Sequence, residues 1–83
     1  MMTWTDFVRE VTANSLTTKE MKEKVKETMR KLLDEAPEYK DRFIIVMLKG
    51  QAIEIWYREI PAMRDDDPRL ELFIDMLSRS KGG

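Results

Sequence analysis

Two apolar runs flank the tripeptide Lys49-Gly50-Gln51 near the middle of the chain. The first run covers residues 43–48 and the second covers residues 52–57. β-Branched and aromatic residues on both sides of a short turn that contains Gly are typical of a β-hairpin. The pattern therefore predicts an antiparallel hairpin over residues 42–60.

Side chains along a strand alternate between the two faces of a sheet. A two-residue turn, either Lys49-Gly50 or Gly50-Gln51, therefore places the same residues together on each face. The expected core face contains Ile44, Val46, Leu48, Ile53, Ile55 and Tyr57. The opposite face contains Phe43, Ile45, Met47, Ala52, Glu54, Trp56 and Arg58. Because this second face is also largely apolar, either the helices of the chain or a partner must cover it.

Helical spacing of apolar residues and capping signals predict two helices before the hairpin. The first covers residues 3–14 and has Thr3 as its N-cap. The second is longer, covers residues 17–36 and begins at Thr17, with Glu20 as the reciprocal partner of a capping box. Both helices have one apolar side that can pack on the core face of the hairpin.

A third helix is predicted after the hairpin, over residues 67–80. Asp67 is its expected N-cap, and Pro68 occupies the first helical position, where proline is favoured. Residues 81–83 are expected to form a flexible tail. Together these elements indicate one small α+β domain over residues 1–83, in the order helix, long helix, antiparallel β-hairpin, helix.

The balance of charges limits the classes of partner. Of the 83 residues 42% are hydrophobic and 37% are charged, yet the net charge is only -1 at pH 7. No overall attraction to nucleic acids or to anionic membranes is therefore expected. No apolar run is long enough to span a bilayer and the N-terminus is unlike a signal peptide, so we expect a cytoplasmic protein. Many charged residues with few amides are typical of thermophilic sources, although the seven Met residues argue against this.

The chain lacks the residue types that most often carry catalysis. It contains no Cys and no His, so a thiol nucleophile, a thiolate metal site and an imidazole base are excluded. Three consecutive Asp residues at 65–67 contain oxygen ligands for a cation, but consecutive carboxylates point in different directions and no second cluster accompanies them. The sequence therefore predicts a non-enzymatic protein with no metal and no cofactor.

A row of basic residues lies at helical spacing along one flank of the long helix: Lys19, Lys22, Lys26 and Arg30. Such a row can follow a phosphate backbone. With Lys49 at the hairpin tip, it suggests a nucleic-acid-binding regulator with a winged-helix-like architecture. The neighbouring acidic residues favour a different interpretation, a solvated face with ion pairs such as Glu20–Lys24. In either case we expect Lys22 and Lys26 to face water.

Several large apolar side chains remain once a core is assigned: Phe43, Met47 and Trp56 on the second hairpin face, and Leu72 and Met76 on the last helix. Met and aromatic residues are common where one protein binds another. Glu54 and Arg58 beside Trp56 are costly to bury in a monomer but suit the charged rim of an interface.

We therefore expect a small accessory or adaptor protein that acts through these residues and Arg58. Its expected partner is another protein or a second copy of the chain, as in a homodimer. The competing interpretation is that the first and last helices cover both faces of the hairpin.

Overall fold

The computed structural model of the chain describes residues 1–13 and 15–81. Its elements are helix α1 (Trp4–Thr12), helix α2 (Thr18–Glu35), 3₁₀ helix η1 (Pro37–Asp41), strands β1 (Phe43–Leu48) and β2 (Gln51–Trp56), 3₁₀ helix η2 (Tyr57–Ala62) and helix α3 (Pro68–Lys81). The predicted α+β class and the predicted order of elements are confirmed. Of the predicted flexible tail, Lys81 belongs to α3, and residues 82–83 lie outside the described residues.

Capping boxes start the first two helices at the predicted residues. The Thr3 hydroxyl accepts a hydrogen bond from the Asp6 N–H at 3.2 Å, and the Asp6 carboxylate accepts one from the Thr3 N–H at 3.1 Å. Thr17 and Glu20 repeat this arrangement at 3.2 and 3.0 Å. The hydrogen bond from the cap N–H lowers the pKa of the carboxyl groups of Asp6 and Glu20.

The start of α3 is held by side chains as well as by its cap. Asp67 accepts a hydrogen bond from the Arg69 N–H at 2.9 Å, as expected for an N-cap. The guanidinium of Arg69 also donates to Asp67 at 2.9 Å and lies 3.5 Å from the carboxylate of Glu59 in η2. The bond from the Arg69 side chain lowers the pKa of Asp67. These contacts join the beginning of α3 to η2.

The hairpin closes through Lys49-Gly50, the first of the two predicted turns. Both turn residues have positive φ angles, 51° and 80°, which a two-residue turn between twisted strands requires and which Gly adopts without strain. The register pairs Val46 with Ile53 and Phe43 with Trp56. Phe43 and Trp56, which the alternation assigned to the same face, are therefore direct cross-strand neighbours.

The hairpin is shorter than the predicted range 42–60, because β2 ends at Trp56 and η2 follows. Tyr57 begins η2 with its ring in an aromatic cluster, where its centroid lies 5.0 Å from that of Trp4 and 6.4 Å from that of Phe73. Burial in this cluster raises the pKa of Tyr57. Because Tyr57 packs against the helices, the chain forms η2 where the last part of the strand was predicted.

The core lies between the helices and one face of the hairpin. Helix α2 contributes Val25, Met29 and Leu32, all fully buried. Fully buried residues from the other elements include Phe7, Ile55, Ile60, Leu70 and Phe73. Residues of the other hairpin face remain exposed, so the interpretation in which the chain's own helices cover both faces is wrong for the described residues.

Candidate interaction surface on the β-hairpin

The outer hairpin face consists of Phe43, Ile45, Met47, Ala52, Glu54 and Trp56. The side chains of Phe43, Ile45 and Met47 are 43%, 60% and 62% exposed. Between them in the same strand, Val46 is buried against the core. The alternation of β1 therefore presents apolar side chains to solvent on one face, and Ile44 and Val46 to the core on the other. Leu48, which was expected on the core face, is instead 36% exposed next to the turn. Ile45 was assigned to this face from the sequence but not to the predicted interface, and its exposure makes it a central member.

Trp56 lies at the end of the outer hairpin face that is distant from the turn. Its ring centroid lies 4.8 Å from that of Phe43, and the Arg58 guanidinium lies 4.6 Å above its ring. Its indole N–H donates to the Glu54 carboxylate at 2.6 Å. Trp56 is therefore half-buried and held in one orientation, with Glu54 and Arg58 beside it as the sequence led us to expect.

Helix α3 runs beside β1 and forms one wall of a groove of about 250 Å³. This groove, the β1–α3 groove, is lined by Ile45, Val46, Met47, Leu72, Asp75, Met76 and Arg79. A second depression continues it between Leu48 and the first turn of α3, at Pro68 and Glu71. Because Leu48 lies near the start of α3 and Ile45 lies near its later turns, the helix and β1 run antiparallel. The structure thus brings Leu72 and Met76 next to Met47.

The backbone of β1 has an open edge on the side of this groove. The Tyr57 N–H donates to the Arg42 carbonyl at 3.2 Å, so the pair 42–57 is a hydrogen-bonded pair. Hydrogen-bonded and non-bonded pairs alternate in an antiparallel ladder. The N–H and C=O groups of Phe43, Ile45 and Met47 therefore point away from β2. Among the described residues the sheet contains only two strands, so no strand pairs with these groups.

The corresponding edge of β2 is better protected. The Trp56 N–H, which points away from β1, donates to the Glu59 carboxylate at 3.2 Å. Glu54 adds a charge to the same strand, and charged side chains discourage pairing at an edge. Strand β1 contains no charged residue and no proline. This difference between the edges was not predicted, although the predicted two-stranded sheet and the uncharged run at 43–48 indicated it.

Lys22 does not face water, contrary to our expectation. Its side chain is 11% exposed, and its ammonium donates to the Asp65 carbonyl at 2.5 Å and to the Glu71 carboxylate at 3.2 Å. The aliphatic part of the side chain is buried while the charge reaches acceptors at the start of α3. Lys22 thus links α2 to the segment that precedes and begins α3.

Lys26 and Arg30 extend this link along the same flank of α2. Lys26, whose side chain is 21% exposed, donates to the Asp65 carboxylate at 2.7 Å and to the Met63 carbonyl at 3.3 Å. Arg30 donates to the Pro61 carbonyl at 3.3 Å. The hydrogen bond from Lys26 lowers the pKa of Asp65. The expectation that Lys26 faces water is therefore also wrong.

The remaining predicted nucleic-acid contacts, Lys19 and Lys49, are exposed. The ion pair expected between Glu20 and Lys24 is replaced by one between Lys24 and Glu10 of α1, at 3.6 Å. Glu20 is engaged instead in the capping box of α2. Most of the basic row therefore has structural partners within the chain.

The three consecutive Asp residues each interact with a different cation. Asp65 contacts Lys26, Asp66 lies 3.2 Å from Arg64, and Asp67 binds Arg69. In residues 1–13 and 15–81 no group of three or more His, Cys, Asp or Glu side chains is arranged to hold a metal ion. Within the same residues, no helix has both the length and the apolar composition needed to cross a bilayer.

No family model, curated protein or solved structure matches this chain. The case for a function therefore depends on the outer hairpin face, the β1–α3 groove and the open edge between them.

Proposed function

We propose that this chain is a small, non-enzymatic accessory or adaptor protein that binds a protein partner through the outer hairpin face and the β1–α3 groove. The observation that supports the proposal most directly is the exposure of Phe43, Ile45 and Met47 in one strand of a folded domain. Contiguous exposed apolar side chains on a soluble domain are typical of interaction sites. A cytoplasmic location and a thermophilic source stay predictions from the sequence.

The chemistry of the surface suits a protein partner. Burial of a large apolar side chain contributes about 1.5–3 kcal/mol. Since Ile45 and Met47 are 60% and 62% exposed, a partner that covers them gains roughly 1–2 kcal/mol from each. Trp56 has an orientation that Glu54 and Arg58 hold before any partner arrives, which reduces the entropy lost on binding. The apolar centre and the charged rim together match the usual anatomy of an interface.

Site-directed photo-crosslinking tests this proposal. A photoreactive phenylalanine analogue would replace Met47 in the full-length chain, and the protein would be irradiated in nuclease-treated extract from its source cells. The matched control carries the same analogue at Lys31, an exposed position on α2. We expect discrete protein adducts from position 47, either with another protein or with a second copy, and their loss when Ile45→Thr is added. Equal adducts from positions 47 and 31 would contradict the proposal.

The alternative, a nucleic-acid-binding regulator that uses the basic row, has less support. Lys22, Lys26 and Arg30 are engaged with acceptors between Pro61 and Glu71. Contact with phosphates would have to compete with these hydrogen bonds. If the alternative is correct, the protein should bind DNA or RNA with an affinity that falls steeply as salt is added, because each phosphate contact releases counterions. Fluorescence anisotropy with labelled oligonucleotides at several salt concentrations measures this.

A further inference from the structure

We propose that β1 pairs with β1 of a second copy of this chain, so that two hairpins form a four-stranded antiparallel sheet around a two-fold axis. This inference rests on the proposed function and names its partner. Its starting point is the open edge of β1, where Phe43, Ile45 and Met47 present backbone donors and acceptors away from β2. A second extended strand can form hydrogen bonds with all of these N–H and C=O groups, since its own N–H and C=O groups alternate with the same spacing.

Two-fold symmetry and the number of hydrogen bonds formed together select one register. Two copies of the same strand pair antiparallel about a residue that lies opposite itself. With Ile45 on the axis, Ile45 pairs with Ile45 of the second copy and Phe43 pairs with its Met47. All three outward-facing residues then exchange hydrogen bonds, two for each of three pairs. With Val46 on the axis, only two of the three outward-facing residues, Ile45 and Met47, would form hydrogen-bonded pairs between the two strands. The Ile45 register is therefore favoured.

The same register accounts for the exposed side chains of β1. On the outer hairpin face, Phe43 of one copy would lie beside Met47 of the other, a sulfur–aromatic contact that contributes modestly to stability. The two Ile45 side chains would meet at the axis. Each copy thus places an apolar neighbour beside each of three exposed side chains of the other, Phe43, Ile45 and Met47. Strand β1 of a second copy is therefore complementary both to the hydrogen-bonding groups and to the side chains of β1.

Charges on α3 are complementary to a second copy. In one chain the Arg79 guanidinium lies 3.0 Å from the Asp75 carboxylate, one turn apart on the side of α3 that lines the β1–α3 groove. The two-fold axis that pairs the strands also sets the two α3 helices antiparallel. Asp75 of each helix then faces Arg79 of the other, with Leu72 and Met76 between them and the strands. The net charge of -1 produces little repulsion between copies.

A proline scan of the two edges tests the inference on the full chain. Ile45→Pro removes an N–H that points away from β2, so the hairpin keeps its own hydrogen bonds while the open edge is blocked. The matched control is Ala52→Pro, which places the same ring on the outward side of β2. Sedimentation velocity over a wide range of concentration should show a dimer for the wild type and for Ala52→Pro, and a monomer for Ile45→Pro. Far-UV circular dichroism verifies that each variant is folded.

A cysteine scan tests the register without any change to the backbone. The chain has no Cys, so a single introduced Cys forms disulfides only between copies. Residues in a hydrogen-bonded antiparallel pair have Cα atoms about 5.5 Å apart, which a disulfide can bridge. Ile45→Cys should therefore oxidise to a covalent dimer. Phe43→Cys should not, because each Phe43 lies opposite Met47 rather than opposite itself.

A wild type that is monomeric at every concentration would overturn the inference, as would a dimer that Ile45→Pro leaves intact. A different result, that of the crosslinking experiment, would contradict the proposed function. If the chain is monomeric but the photoreactive group at Met47 captures a different protein, the adaptor role stands and only the second copy is wrong. If position 47 captures neither another protein nor a second copy, both proposals are wrong.

Discussion

Replacement of Lys22 by Glu should destabilise the fold by several kcal/mol. Lys22 is the least exposed cation of the basic row, and its ammonium donates to the Asp65 carbonyl and the Glu71 carboxylate. A carboxylate at this position can donate to neither acceptor. It would also carry the same charge as Glu71 in a region with little room for water. The change therefore removes an attraction and introduces a repulsion at the junction of α2 and α3.

The magnitude follows from the two contacts. A hydrogen bond from a charged group contributes about 1.5–3 kcal/mol net, and the bond to the Asp65 carbonyl is the shorter of the two, at 2.5 Å. The ion pair with Glu71 adds little, since Glu71 is 66% exposed. With about 1 kcal/mol for the new repulsion, we expect Lys22→Glu to lower the free energy of unfolding by ~2.5–4 kcal/mol. For a domain of this size that corresponds to a decrease in Tm of roughly 10–30 °C.

Urea denaturation followed by far-UV circular dichroism measures the loss. The matched control is Lys31→Glu, the same charge reversal at an exposed position of α2, which should change the free energy of unfolding by ~0.5 kcal/mol or less. Lys22→Met keeps the apolar part of the side chain and should lose only the ~1.5–3 kcal/mol of the charged hydrogen bond. Equal costs for Lys22→Glu and Lys31→Glu would refute the reasoning and leave Lys22 available for a phosphate contact.

Three further results are expected. Thr17→Ala should lower the free energy of unfolding by ~1 kcal/mol, because the cap of α2 is lost, and an unchanged urea midpoint would contradict this. Hydrogen bonds from Lys26 and Arg69 lower the folded-state pKa of Asp65 and Asp67. The stabilisation from these two carboxylates is therefore complete above the ordinary carboxyl pKa of about 4 and is lost as the pH falls below that value. Measurements of Tm against pH should show this decrease in Tm, and the decrease should be smaller in Asp65→Asn. Trp56→Ser should lower the free energy of unfolding by ~1–2 kcal/mol, since the ring is half-buried and packs against Phe43. It should also reduce the adducts formed in the crosslinking assay, because Phe43 loses the ring that supports it. A loss above ~3 kcal/mol, typical of a core residue, would contradict a surface role.

Local patterns in the sequence were enough to predict where the helices begin and which hairpin face is buried. Thr3, Thr17 and Asp67 cap helices because the backbone N–H donors that their side chains accept from lie two or three residues away, so the information is contained in a few consecutive positions. The alternation of β1 and β2 likewise assigns each side chain to a face once a two-residue turn is recognised. The exposure of Phe43 and Met47 follows from that alternation together with the absence, in the described residues, of an element that covers the outer face.

Tertiary structure decided the features that depend on distant parts of the chain. Lys22 and Asp65 are separated by 43 residues, and only the packing of α2 against the segment before α3 brings them together. Tyr57 enters η2 rather than continuing β2 because Trp4, far from it in sequence, packs against its ring. The open edge of β1 is decided in the same way, since a strand lies at an edge or inside a sheet according to what the rest of the chain places beside it. Capping and alternation are local and can be read in sequence, whereas the partners of a buried cation or of a strand edge are set by the relative positions of whole elements.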